Sequence, residues 1–259
     1  MTRRINLNAD LGESFGAWEM GSDGELLRIV GAANIACGYH AGDPLVMRRT
    51  VRQALAAGVS IGAHPSFPDL QGFGRRPMQL PPAELEAMLI YQIGALAGIT
   101  RAEGGRLTHV KPHGALNNMA CEDATLAHSV VAAIESFDPE LILLAPALSK
   151  LALTGAVAGL RVVDEVFADR AYTDTGQLVP RSQPGALLDS ADACVAHVRR
   201  MLDAGGIVSQ GGRLIRTEFQ SICVHGDGPR AVAAATAIRA ALLADGIVLV
   251  PLPEALQTV

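Results

Sequence analysis

The chain has 259 residues, 49% of them hydrophobic, and a net charge of −5 from 21 basic and 26 acidic side chains. It has no basic stripe and only 4% aromatics, so it lacks the side chains that neutralise phosphates and stack on bases, which argues against nucleic-acid binding. The length suits one barrel domain spanning residues 1–259 that needs neither disulfide nor structural metal to fold.

The four cysteines, Cys37, Cys121, Cys194 and Cys223, form no CxxC pair and read as reduced, mostly buried thiols. The start, Met1-Thr2-Arg3-Arg4, carries no apolar signal region. The apolar stretches 141–160 and 231–252 are broken by Pro146 and Lys150, and by Arg239 and Asp245, so no membrane span is expected. The expectation is a cytoplasmic protein.

Along the chain, short β-like runs alternate with helical ones. Strand 5–9 is followed by a short helix, 23–30, with Ser22 as its cap, and by strand 33–37. Helix 44–57 follows, capped by Asp43, started by Pro44 and ended by Gly58. Then come strand 59–63, helix 83–103, strand 107–111, helix 123–135, strand 141–145, helix 147–157 and strand 161–167. Helix 190–204, strand 221–224, helix 229–244 and strand 247–250 complete the chain. This alternation predicts a parallel sheet with right-handed crossovers. The turn after the first strand, Asp10-Leu11-Gly12-Glu13-Ser14, has neither GxGxxG nor GxxxxGK[ST], which favours a closed barrel over a doubly wound nucleotide fold.

Strands of a parallel sheet are normally apolar on both faces, and several here are not. Ile5, Leu7 and Ala9 share one face; Asn6, Asn8 and Asp10 share the other. Asn34, Ala36, Gly38 and His40 likewise oppose Ile35 and Cys37, and Gly62 and His64 oppose Ile61 and Ala63. His109, Lys111 and His113 oppose Thr108, Val110 and Pro112, and Ser221, Cys223 and His225 oppose Ile222 and Val224. The apolar face suits a helix-covered exterior. The polar face suits a barrel interior whose carboxyl end carries the site, where Asp10, His40, His64, Lys111, His113 and His225 converge.

Glu165, Asp169 and Arg170 follow another strand, and Asp227 lies two residues after His225. One histidine at a strand end is usually a satisfied structural residue, and Asp227-Gly228-Pro229 equally reads as a turn. Five of seven histidines at one end of the sheet favour a shared site. Two long connections, 65–80 and 169–190, have the length of lids. Their Arg75 and Arg170 suit carboxylate or phosphate clamping, whereas Arg76 and Arg181 read as solvated surface.

Six segments carry a family resemblance. They are Asn8-Ala9-Asp10-Leu11-Gly12-Glu13, Asn34-Ile35-Ala36-Cys37-Gly38-Tyr39-His40-Ala41-Gly42-Asp43, Gly62-Ala63-His64-Pro65-Ser66, Val110-Lys111-Pro112-His113-Gly114-Ala115-Leu116, Asp169-Arg170-Ala171-Tyr172 and Val224-His225-Gly226-Asp227. In that order they resemble the LamB/YcsF family over nearly the whole chain. The resemblance implies an α/β fold, an irregular parallel (β/α) barrel of roughly seven strands related to the polysaccharide deacetylase-type barrel. It also implies hydrolysis of the 5-oxoproline lactam to L-glutamate, with ATP (and Mg) as co-substrate, performed with two other subunits of a 5-oxoprolinase.

Opening a lactam in this way calls for a group that activates water, cations for phosphoryl oxygens and a clamp for the substrate carboxylate. We assign Asp10, His40, Lys111 and His113 to catalysis, with Asp10 or His40 activating water and Lys111 stabilising developing negative charge. Asn8, Glu13, His64, Asp169, Arg170, His225 and Asp227 are assigned to substrate binding. With no P-loop in the sequence, either ATP binds in an unfamiliar way or the partner subunits carry it. A bound divalent metal stays open, as does a homo-oligomer. Two other readings stand beside this one. The first is a metal-dependent amidohydrolase or deacetylase with Asp10, His40 and His64 as ligands. The second is a non-catalytic subunit that presents a ligand to a partner enzyme.

Overall fold

The computed structural model describes residues 3–224 and 231–257. Its main sheet is parallel and closed. Strands β1 (Arg4–Leu11), β2 (Ala32–Ala36), β3 (Ser60–His64), β4 (His109–Val110), β5 (Ile142–Pro146) and β6 (Val162–Phe167) pair in sequence order. Two further strands lie between 206 and 216: β7 (Gly206–Val208) and β8 (Leu214–Arg216), an antiparallel hairpin apart from the main sheet. Strand β9 (Ser221–Val224) pairs with both β6 and β1 and closes the ring. The sheet has eight strands, of which β10 (Val248–Leu249) merely extends β1 at its start; the remaining seven form the barrel.

Register turns the alternation along each strand into layers. On the outer face Ile5, Leu7, Ala9, Ile35, Ile61, Val110 and Ile222 are buried against the helices in one large core. Inside, Ala32, Ile142, Leu144, Val163 and Leu252 form a separate apolar cluster that plugs the amino end of the barrel. Above it lies a polar layer of Asn6, Asn8, Asn34, His109, Glu165 and Ser221, all at most 1% exposed. Each of these polar groups needs a partner at that depth, which is why the layer is built as a hydrogen-bonded network rather than as isolated side chains.

Eight helices surround the described barrel: α1 (Asp23–Leu26), α2 (Pro44–Ala56), α3 (Pro82–Ala102), α4 (Gly114–Glu122), α5 (Ala124–Phe137), α6 (Lys150–Ala158), α7 (Ala191–Ala204) and α8 (Ala231–Ala244). Asp43 caps α2 as expected, accepting from the Leu45 and Val46 amides, and Gly58 leaves it at φ 68°. Ser22 does not cap α1, which stops after one turn; its side chain makes no cap bond. Helix α4 was not expected. Its run Gly114-Ala115-Leu116-Asn117-Asn118 is a weak helix former, and its start is fixed from outside, where the Ala115 amide donates to Gly74 O. The expected strand 107–111 contributes only His109–Val110 to the ladder, and the expected last strand, 247–250, only Val248–Leu249. No helix of the described residues is long and apolar enough to cross a membrane.

Candidate active site

The polar layer rises into a site at the carboxyl end of the strands. Asn8 Nδ2 donates to Glu165 Oε1 and Ser221 Oγ, both at 2.8 Å. Asn34 Nδ2 donates to Asn8 Oδ1 and Asp10 Oδ1, again at 2.8 Å. Since Asn34 thereby presents its oxygen to His109 Nε2 at 2.9 Å, that nitrogen carries the hydrogen. Lys111 Nζ ends the network, 3.0 Å from Asp10 Oδ1, 3.1 Å from Glu165 Oε1 and 3.1 Å from Cys223 Sγ.

Burial opposes the Lys111 ammonium, but the Asp10 and Glu165 carboxylates, with the Cys223 sulfur beside them, outweigh it and raise the pKa well above the ordinary lysine value. Lys111 is thus a fixed cation. Burial raises the Glu165 carboxyl, with Lys111 pulling the other way. His109 is pushed down to about 3, first by burial and then by the Lys111 charge, so it is a neutral structural ring.

Above Asp10 stand three more imidazoles. His64 Nε2 is 3.3 Å from Asp10 Oδ2 and 2.9 Å from His113 Nδ1. His40 stacks on His113 with ring centroids 3.8 Å apart, and its Nε2 lies 3.2 Å from Glu13 Oε1. Burial, followed by neighbouring imidazoles, depresses the pKa of His40 and His113 well below the usual histidine value. Glu13, His40, His64 and His113 form a buried group able to hold a metal ion.

A cavity of about 470 Å³ opens over this floor, with Asp10, Lys111 and His113 below and Arg75, Arg170 and Arg181 on its walls. The guanidiniums of Arg170 and Arg181 repel each other. Arg170, lowered to about 10 chiefly by burial, donates from Nη2 to Val179 O while its buried Nε has no partner. Such a wall suits an anion.

The residues singled out in the sequence divide as follows. Asp10, His40, Lys111, His113, Glu13 and His64 come together, and Asn8 lies directly beneath them. Arg170 reaches the cavity, and Asp169 does not line it. His40, fully buried, also fails to line the cavity and stands behind His113. His225 and Asp227 lie outside the described residues. Arg76, exposed, pairs with the buried Asp69 away from the cavity, whereas Arg181, also exposed, faces the cavity. Asn34, and Asn117, Asn118 and Glu122 of α4, were given no role from the sequence. Asn34 was visible in strand parity; the α4 residues had no signal beyond their nearness to His113.

The LamB/YcsF family profile matches residues 5–257. The chain belongs to the LamB/YcsF family. It is 67% identical over 251 residues to the A subunit of 5-oxoprolinase from Azoarcus sp. strain BH72, covering 97% of this chain and 98% of that one. The crystal structure of the lactam utilization protein from Thermus thermophilus is 43% identical with a TM-score of 0.90, covering 96% of this chain and 99% of that chain. The fold is also that of the catalytic domain of peptidoglycan N-acetylglucosamine deacetylase from Eubacterium rectale, at TM-score 0.54 and 11% identity over 100% of this chain and 92% of that one. The barrel expected of LamB/YcsF members, related to deacetylase barrels, is therefore the one present.

Proposed function

We propose that this LamB/YcsF chain, acting as one barrel domain, is the lactam-binding subunit of an ATP-dependent 5-oxoprolinase. The observation that carries the reading is the buried Asp10–Lys111 pair at the floor of a cavity walled by Arg170 and Arg181. The names of the similar proteins supply the substrate, and the cavity supplies a place for it.

In this reading the wall arginines hold the 5-oxoproline carboxylate or a phosphoryl group. Lys111 directs a fixed positive charge at the lactam oxygen as negative charge develops there. Asp10 takes a proton from the attacking water, with His113 beside it. His40 has no access to the cavity, so its role is to position His113 by stacking rather than to activate water. ATP, with Mg, is the co-substrate of the assembled complex, and two partner subunits bring it, since the chain has no P-loop pattern. Phosphorylation of the lactam oxygen makes the ring carbon electrophilic. A first water adds there, the C–N bond breaks with the nitrogen leaving as the protonated amine, and a second water releases phosphate to leave L-glutamate and ADP. Such a complex works where ATP is available, in the cytoplasm.

A turnover assay with 5-oxoproline and ATP, with and without the companion subunits, tests this. Glutamate is expected only from the reconstituted complex; ATP-coupled release by the isolated chain overturns the need for partners. In the complex Asp10→Asn, Lys111→Met and His113→Ala are each expected to lose turnover, with circular dichroism reporting separately whether each variant is folded. Near-full activity in all three discards the site.

A further inference from the structure

We infer that Glu13, His40, His64 and His113 bind one divalent transition-metal ion, with the imidazole nitrogens and the Glu13 carboxylate as ligands. The argument begins with where the hydrogens must be. His64 Nδ1 lies 2.7 Å from Lys111 O. A carbonyl oxygen only accepts, so this nitrogen carries a hydrogen, which leaves Nε2 as the ring nitrogen that can offer a lone pair. His113 Nε2 lies 2.9 Å from Phe73 O, so by the same reasoning its Nδ1 is the one that can offer a lone pair. Phe73 holds the left-handed φ of 54° while presenting that carbonyl, a conformation costly for a bulky residue.

These two nitrogens face each other at 2.9 Å, with Glu13 Oε1 3.5 Å from His113 Nδ1 and 3.2 Å from His40 Nε2. His64 Nε2 and His113 Nδ1, each with its other nitrogen bound to a carbonyl, cannot face each other at this distance in a buried place without a cation or a proton between them. His40 completes the set: its Nδ1 is buried with no partner, so no hydrogen bond there fixes its tautomer.

The geometry suits an ion better than a proton. All four donor atoms fall within 4.8 Å of one another. Tetrahedral ligands at about 2.1 Å from a zinc-like ion stand about 3.4 Å apart. The Glu13 contacts already match that spacing, and the His64–His113 contact needs to open by roughly half an ångström. Both His64 and His113 fasten the far nitrogen to a backbone carbonyl, the device that fixes the orientation of metal-ligating rings. Mixed imidazole and carboxylate donors suit zinc, iron or a similar borderline ion. Asp10, expected among the ligands from sequence, lies outside the four-residue group: its Oδ1 is held by Asn34 and Lys111, and its Oδ2, 3.3 Å from His64 Nε2, flanks the group. His113 and Glu13 take its place. His64 and His113 line the cavity, so an ion held by these four residues would sit at the cavity floor; with four protein ligands it would be a closed, structural-type centre unless one ligand withdrew to open a position.

The test is binding of cobalt(II), and of zinc in competition, to the chelator-treated full chain. It is followed by visible absorption and metal analysis, with no turnover involved, so it stands or falls separately from the oxoprolinase reading. One equivalent is expected, with ligand-field bands that zinc abolishes. Glu13→Gln and His113→Ala are each expected to weaken affinity at least ~100-fold, and Asp10→Asn to change it only a few-fold. Should His113→Ala fail to fold, the near-isosteric Glu13→Gln decides. No uptake by the wild-type chain, as a shared proton between the rings predicts, overturns the inference. So does uptake indifferent to Glu13→Gln.

Discussion

Gly62 and His109 compete for one volume inside the barrel: a Cβ at position 62 would overlap the imidazole ring of His109. The two are register partners on adjacent strands, and the ring lies where a side chain at position 62 would go. That ring also holds Asn34, and through it Asp10. Gly62→Ala should therefore displace His109 and break the network beneath the site, at a cost of about 3 kcal/mol. Urea unfolding measures it. A loss below about 1 kcal/mol would mean that the ring is not confined as described.

His109 also links stability to pH. Its folded pKa of about 3 lies below the ordinary 6.5, so between these values the unfolded chain binds the additional proton. The stabilisation is complete above 6.5 and declines as pH falls towards the folded value. From pH 7 to pH 5 this one group removes about 2 kcal/mol. His197, pushed down to about 4 chiefly by burial, acts in the same direction. Urea midpoints measured across that range should fall with acid, and His109→Gln should have a shallower slope. Identical slopes for the two proteins would remove His109 from the account.

Much of this was legible in strand parity. Asn6, Asn8 and Asp10 opposing Ile5, Leu7 and Ala9 already separate the interior from the helix-covered face, because a side-chain period of two survives any tertiary context. What parity does not give is depth. It sets His40 beside His113 in the site, whereas in the fold the His113 ring stands between His40 and the cavity. Helix α4 was hidden because its first turn is fixed by the remote Gly74 carbonyl rather than by its own residues. The β7–β8 hairpin has only three residues per strand, too short for alternation to register. Arg181 could not be told from any solvated arginine, since its place in the cavity wall depends on how the segment 169–190 folds back.

Arg181 offers a test of the wall that spares the fold. It is exposed and lines the cavity, so Arg181→Ala removes a positive charge without opening the core. In the reconstituted enzyme it should raise KM for 5-oxoproline about 10-fold, about 1.4 kcal/mol, with kcat little changed. Arg170→Lys should cost more, because a lysine cannot reproduce a guanidinium fastened through Nη2 to Val179 O. Unaltered KM in both variants would place the substrate carboxylate elsewhere.

Lys111 raises the question of whether a buried cation serves stability or chemistry, and the two can be separated. Lys111→Met leaves Asp10 and Glu165 without the ammonium that lies 3.0 and 3.1 Å from them, and breaking such a buried pair costs about 3–5 kcal/mol. Loss of turnover in this variant alone would thus be ambiguous. Adding Glu165→Gln removes one stranded carboxylate and keeps a partner for Asn8, so the double variant should recover part of the lost stability. Turnover should not recover with it, because no positive charge then faces the lactam oxygen; a deficit of more than about 100-fold is expected. A double variant that regains stability and turns over like the wild type would make Lys111 a structural ion only.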